Sequence, residues 1–74
     1  MKITLYTMDE CPKCNVIKTK MKIKKIDYVE NPHVEEVVKM GFASLPVLKI
    51  DEEAMDFPLA NEWINQYNMA HAAL

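Results

Sequence analysis

Hydrophobic and polar positions change period several times along the chain, and each change predicts an element. Lys2-Ile3-Thr4-Leu5-Tyr6-Thr7 alternates with the two-residue period of a strand, and Met8 to Glu10 read as the loop that follows. From Pro12 to about Lys24, Cys14, Ile17 and Met21 share one face, Val16 and Ile23 flank it, and lysines fill most of the remainder, so an amphipathic helix is predicted. Pro12 suits the first helical position because its φ is already helical and its missing N–H costs nothing there. Ile26 and Tyr28 alternate about Asp27, which predicts a second strand from Ile26 to Glu30. Asn31-Pro32 then reads as the N-cap and first-turn proline of a short helix carrying Val34, Val37 and Val38. Gly41, the only glycine, would end it. Phe42 to Leu45 form a loop, Val47-Leu48-Lys49-Ile50 a third strand, Asp51-Glu52-Glu53 a turn, and Ala54 to Asp56 a short return strand. A last helix is expected from about Pro58 to Ala70, with Leu59 or Ala60, Trp63, Ile64 and Tyr67 facing inward.

The predicted order is βαβαββα. Two strands joined by a crossover helix should run parallel with right-handed connection, and two joined by a short turn should be antiparallel. The simplest packing is a mixed four-stranded sheet with helices on both faces, an α/β architecture formed by residues 1–74 as a single domain. A chain of 74 residues buries only about 60% of the surface its unfolded form exposes, but half of its residues are apolar, enough to build a core.

Charge narrows the function classes. A net charge of −2 argues against general nucleic-acid binding. All nine basic residues are lysines and six lie between Lys13 and Lys25, whereas nine of the eleven acids lie at Asp27 or beyond. The plain interpretation is a solvated helix face; the alternative is a docking face for an acidic partner, acting mainly on association rate. Met1-Lys2 leads straight into a strand-like pattern, and no stretch approaches the roughly 20 apolar residues that span a bilayer, so a cytoplasmic protein without membrane contact is expected.

The chemistry concentrates in Cys11-Pro12-Lys13-Cys14, which holds the only two cysteines, between the first strand and the first helix. Thiols at this spacing can close a small disulfide ring and reopen it. A thiolate at a helix start is stabilised by unpaired N–H groups and by the positive end of the helix dipole. Cys11, at the N-cap and able to reach solvent, is the expected nucleophile. Cys14, one turn in on the apolar face, is the expected resolving thiol. Lys13 and the dipole favour the Cys11 thiolate and nearby Asp9 and Glu10 oppose it, a balance suited to a reductant more than to a strong oxidant.

This element order, with C-P-x-C after the first strand and Ser44-Leu45-Pro46-Val47 opening the third, resembles the glutaredoxin branch of the thioredoxin-like superfamily. Tyr6, Thr7, Cys11, Pro12, Cys14, Leu45 and Pro46 carry the resemblance. It implies a thioredoxin-like fold, a cis Leu45–Pro46 peptide beside the cysteines, and a Leu45 backbone that pairs with an incoming substrate strand. Pro12, Lys13, Leu45 and Pro46 are therefore the expected substrate-binding residues. The implied activity is thiol–disulfide exchange with disulfide-containing proteins, a ribonucleotide reductase among the suggested clients, by a monomer with no bound cofactor. Reducing equivalents would come from a thioredoxin-reductase-type flavoprotein or from glutathione.

Two departures bear on that choice. Glutathione-using members usually carry Gly-Gly and an acid about ten positions after the cis-proline, where this chain has Asp56-Phe57-Pro58. Short glutaredoxin-like redoxins that also lack the pair resemble thioredoxin in drawing on a flavoprotein reductase. Lys13 stands where glutaredoxins most often have Tyr. Rival readings of the same residues are a zinc site with His33 and His71, a shared iron–sulfur cluster, and a non-catalytic docking module using Met8, Phe42 and the Leu45-Pro46 turn. The methionines are read as core fillers, with Met8 and Met55 as candidates to edge a substrate groove.

Overall fold

The alternation at the start of the chain sends Ile3 and Leu5 to one side of a sheet and Tyr6 to the other, and helices cover both sides. The computed structural model describes residues 2–67. Its elements are β1 (Ile3–Tyr6), α1 (Pro12–Ile23), β2 (Val29–Asn31), α2 (Val34–Lys39), β3 (Val47–Ile50), β4 (Glu53–Met55) and α3 (Phe57–Gln66). The sheet order is β2-β1-β3-β4. β1 runs parallel to β2 and antiparallel to β3, and β3 is antiparallel to β4. This is the mixed four-stranded sheet expected from the sequence pattern.

The larger core lies between the sheet and the α1–α3 layer. Ile3 and Leu5 meet Ile17 and Met21 of α1, Leu48 and Met55 of the hairpin, and Ala60 and Ile64 of α3. Burial of each large aliphatic side chain here contributes about 1.5–3 kcal/mol. On the opposite face Tyr6, Val37 and Val47 form a smaller cluster beneath α2, with Met40, Phe42, Leu45 and Ala54 packed around it. The Tyr6 hydroxyl donates to Glu36 Oε1 at 3.4 Å, tying β1 to α2.

Several boundaries differ from the sequence reading, for identifiable reasons. The second strand starts at Val29 rather than Ile26. Ile26 is taken by the end of α1: Lys24 is the C-cap, Lys25 adopts φ 58°, its N–H donates to the Lys22 carbonyl, and the Ile26 N–H donates to the Met21 carbonyl. This is a Schellman closure with lysine at the position glycine usually takes. The Ile26 side chain still enters the core. Asn31 does not cap α2. It pairs with Tyr6 in the sheet, its carbonyl accepts the Thr7 N–H, and its side chain accepts the His33 N–H at 2.9 Å. The helix therefore begins two residues after Pro32, with His33 at its N-cap.

α2 ends in a second Schellman closure. Gly41 sits at φ 93°, its N–H donates to the Val38 carbonyl, and the Phe42 N–H donates to the Val37 carbonyl. Of the three valines only Val37 is buried; Val34 and Val38 are exposed, as are Val16 and Ile23 on α1. The β3–β4 turn is Asp51-Glu52, because Glu53 already pairs with Ile50. Asp56 leaves the return strand to cap α3, accepting the Leu59 N–H at 3.4 Å. Pro58 lies in the first turn of α3, which begins at Phe57. The helix ends at Gln66 with Tyr67 extended, and the rest of the predicted last helix lies outside the described residues.

The lysine run of α1 is partly structural. Lys20 Nζ donates to Asn61 and Asn65, and Lys24 Nζ donates to the carbonyls of Asn65 at 3.0 Å and Tyr67 at 2.6 Å. Lys18 pairs with Glu30 at 3.1 Å. An ammonium against the last carbonyls of α3 satisfies acceptors left open at a helix end and complements its dipole. Lys13, Lys22 and Lys25 remain exposed, so the basic face available to a partner is about half what the sequence suggested.

Candidate active site

Four chain segments converge at one end of the sheet. Tyr6 pairs with Val47 across the antiparallel β1–β3 ladder, so Pro46 enters β3 at the end where β1 releases the cysteine loop. Tyr6 also pairs with Asn31 of parallel β2, which brings Pro32 to the same end. Met55 pairs with Leu48, so β4 likewise delivers Asp56 and the start of α3 there. Residues far apart in sequence are thus brought to the end of the sheet from which the cysteine loop leaves.

Cys11 is the N-cap of α1, extended at φ −117° and ψ 102° and half-exposed. Its sulfur is disulfide-bonded to Cys14 and accepts the Cys14 N–H at 3.2 Å. Its carbonyl accepts the Asn15 N–H at 3.0 Å, the first hydrogen bond of the helix. Cys14 is fully buried, on the face of α1 shared with Ile17 and Met21. Of the two residues, Cys11 is partly open to solvent and Cys14 is not. Pro12 and Lys13 between them are exposed.

The Leu45–Pro46 peptide is cis. Pro46 is fully buried and Leu45 half-buried against the Tyr6–Val37–Val47 cluster. The Schellman closure at Gly41 directs the chain from α2 toward this turn. Thr7 is buried at the head of the cysteine loop, and its Oγ1 is the one buried side-chain oxygen or nitrogen without a hydrogen-bond partner among the described residues. Glu10, immediately before Cys11, adopts φ 58°, a left-handed conformation that turns the loop into the helix. Burial first, then the charge of Glu36 and the hydrogen bond to it, raise the Tyr6 phenol above its ordinary pKa.

One contact was not anticipated from sequence: Lys13 Nζ lies 5.5 Å from the centroid of the Phe57 ring, joining the starts of α1 and α3. Asp56 followed by Pro58 is a helix-start signature that would have marked this corner. Of the groove candidates, Met8 is exposed at the site end, but Met55 is buried in the main core, being paired with Leu48. Phe42 is half-buried in the α2-side cluster. Among the described residues no three or more His, Cys, Asp or Glu side chains gather as metal ligands. His33 lies with Nδ1 3.4 Å from Glu35 Oε1, and His71 falls outside the described residues. No helix among the described residues is long and apolar enough to cross a membrane.

No protein-family model matches the chain, and no curated protein sequence matches it. Among solved structures it is similar to the glutaredoxin-like protein NrdH-redoxin of Escherichia coli, a protein described as having a thioredoxin-like activity profile. The TM-score is 0.68 at 25% identity, over 84% of this chain and 93% of that one. It is also similar to TDR1 of Leishmania, a trimeric glutathione transferase, with a TM-score of 0.71 at 18% identity. That match covers 97% of this chain but only 19% of the other, and it bears on fold alone. The fold is thioredoxin-like.

Proposed function

Since the chain has the fold and the cysteine pair of a glutaredoxin-like redoxin, we propose that it is a dithiol oxidoreductase that reduces protein disulfides through Cys11 and Cys14. The observation that carries this reading is the asymmetry of the pair: a half-exposed cysteine at the helix N-cap, bonded to a fully buried one.

In the reduced protein the Cys11 thiolate attacks one sulfur of a client disulfide. The client S–S bond breaks, a mixed disulfide forms at Cys11, and the first client sulfur leaves as a thiolate that takes a proton from solvent. Cys14 then loses its proton and attacks Cys11 Sγ. The mixed disulfide breaks, the second client thiolate is released and protonated, and the Cys11–Cys14 bridge closes. The client gains two electrons and two protons; the redoxin loses two electrons and the Cys14 proton, and solvent supplies the remaining proton. Cys11 Sγ already faces a helix amide, which favours its anionic form. Pro12, Lys13 and Leu45 would line the client's path, with the Leu45 backbone receiving an extended client segment and buried Pro46 lying beneath it.

Regeneration requires an outside donor, and we assign it to a flavoprotein of the thioredoxin-reductase type in preference to glutathione. Three features of the α3 start support this. Asp56 is engaged as a cap, Pro58 has no N–H, and Phe57 lies against Lys13. A glutathione carboxylate therefore lacks the open main-chain approach a glycine pair provides. Ribonucleotide reductase is one client suggested by the resemblance, and a cytoplasmic monomer is the form proposed.

The test supplies oxidised protein with NADPH and thioredoxin reductase, or with NADPH, glutathione and glutathione reductase, and follows NADPH loss. Turnover with the first system is expected; turnover only with the second overturns the assignment of donor. Insulin reduction should be abolished in both Cys11→Ser and Cys14→Ser proteins. Activity surviving the Cys11 change refutes the mechanism.

A further inference from the structure

Beside the cysteine loop lies a groove of about 550 Å³, on the flank away from the Lys13–Phe57 contact. Its walls include Thr7, Asp9 and Glu10 of the β1–α1 loop, Lys18 of α1 and Glu30 of β2. Three carboxylates face one ammonium, and that ammonium is held by Glu30 at 3.1 Å. Asp9 and Glu10 are exposed and form no ion pair with any described residue, so two negative charges stand uncompensated within two positions of Cys11.

Thr7 adds an independent observation. It is 4% exposed, it lines this groove, and its Oγ1 finds no hydrogen-bond partner among the described residues. Buried hydroxyls are nearly always paired, so this one has hydrogen-bonding capacity left for a group that enters the groove. A ligand that suits both features carries positive charge and several N–H donors.

We propose that this groove receives a basic side chain, arginine or lysine, that flanks the disulfide of a client protein. The inference rests on the exchange activity proposed above and adds a charge preference to it. The guanidinium or ammonium lies between Asp9 and Glu10, its inner N–H directed to the Thr7 hydroxyl, while the adjacent client sulfur is presented to Cys11. Acidic residues at the same client position meet repulsion. The two carboxylates thus select clients at some cost to thiolate formation at Cys11, which explains their presence next to a nucleophilic cysteine.

The test uses three short peptides with one disulfide, identical except for Arg, Ala or Glu beside the client cysteine, reduced by the full-length protein at low ionic strength. An exposed pair is worth about 2- to 5-fold in kcat/KM, so the order Arg over Ala over Glu is expected, with each step of that size and compressed by salt. An Asp9→Lys/Glu10→Lys protein should reverse the order. Comparing peptides on one protein cancels any general change in Cys11 reactivity. Equal rates for all three peptides overturn the groove assignment and leave the exchange activity standing. An unchanged order in the reversed protein overturns the assignment of the preference to Asp9 and Glu10. Failure to reduce any peptide overturns the exchange activity and the groove together.

Discussion

Two helix ends in this protein use the same closure with different residues, and exchanging them should move stability in opposite directions. Gly41 at φ 93° ends α2, and Lys25 at φ 58° ends α1. A β-carbon built on Gly41 would meet no atom within 4 Å, so Gly41→Ala tests the backbone alone. The left-handed conformation costs a non-glycine residue about 1–2 kcal/mol, and alanine recovers about 0.4–1 kcal/mol by restricting the unfolded chain. The expected net destabilisation is about 1 kcal/mol. The same arithmetic reversed gives Lys25→Gly a gain of about 0.5–1 kcal/mol. The Lys25 side chain is exposed and forms no ion pair among the described residues, so its removal adds little else. Urea unfolding followed by far-ultraviolet circular dichroism should show the midpoints displaced to opposite sides of wild type with unchanged slopes. Lys25→Gly falling below wild type, or Gly41→Ala matching it, would refute the argument that these two turns are governed by φ.

Other perturbations follow from the same geometry. Lys24→Met keeps the apolar stem and loses the hydrogen bonds to Asn65 and Tyr67, so it should cost about 1 kcal/mol in thermal unfolding while Lys22→Met costs little; equal effects would contradict a structural role for Lys24. Because the folded-state Tyr6 phenol titrates above its unfolded value, its contribution is fully present below about pH 10 and is lost as pH rises through the unfolded and then the folded value. Tyr6→Phe should therefore flatten the alkaline loss of stability, and Tyr28, also raised by burial, contributes slope of the same sign. In Cys14→Ser protein, client exposure should leave a persistent mixed disulfide at Cys11, detected by mass spectrometry. Rapid spontaneous release would argue against Cys14 as the resolving thiol.

Much of the fold was legible because periodicity and punctuation agreed. Val47 to Ile50 is a strand in both readings, and Cys11-Pro12 opens α1 where the proline signal puts it. Errors arose where a backbone group was used by a neighbour that periodicity does not reveal. Ile26 alternates like a strand residue, yet its N–H closes α1. Asn31-Pro32 has the composition of a cap, yet Asn31 is held by β1. Lysine in place of glycine at position 25 removed the usual helix-stop signal. At the site, the cysteine spacing could be read directly, whereas the Lys13–Phe57 contact and the unpaired Thr7 hydroxyl depend on tertiary placement. The lysine run illustrates the same limit, since composition cannot separate solvated ammonium groups from those that finish another helix.

The outermost strands, β2 and β4, are three residues each. A margin so brief offers a foreign chain too few main-chain donors and acceptors to anchor a growing stack, even though Val29 faces solvent. Crowded solutions should therefore not lead this sheet to recruit copies of itself edgewise, and an extended chain that drifts past finds little border to join.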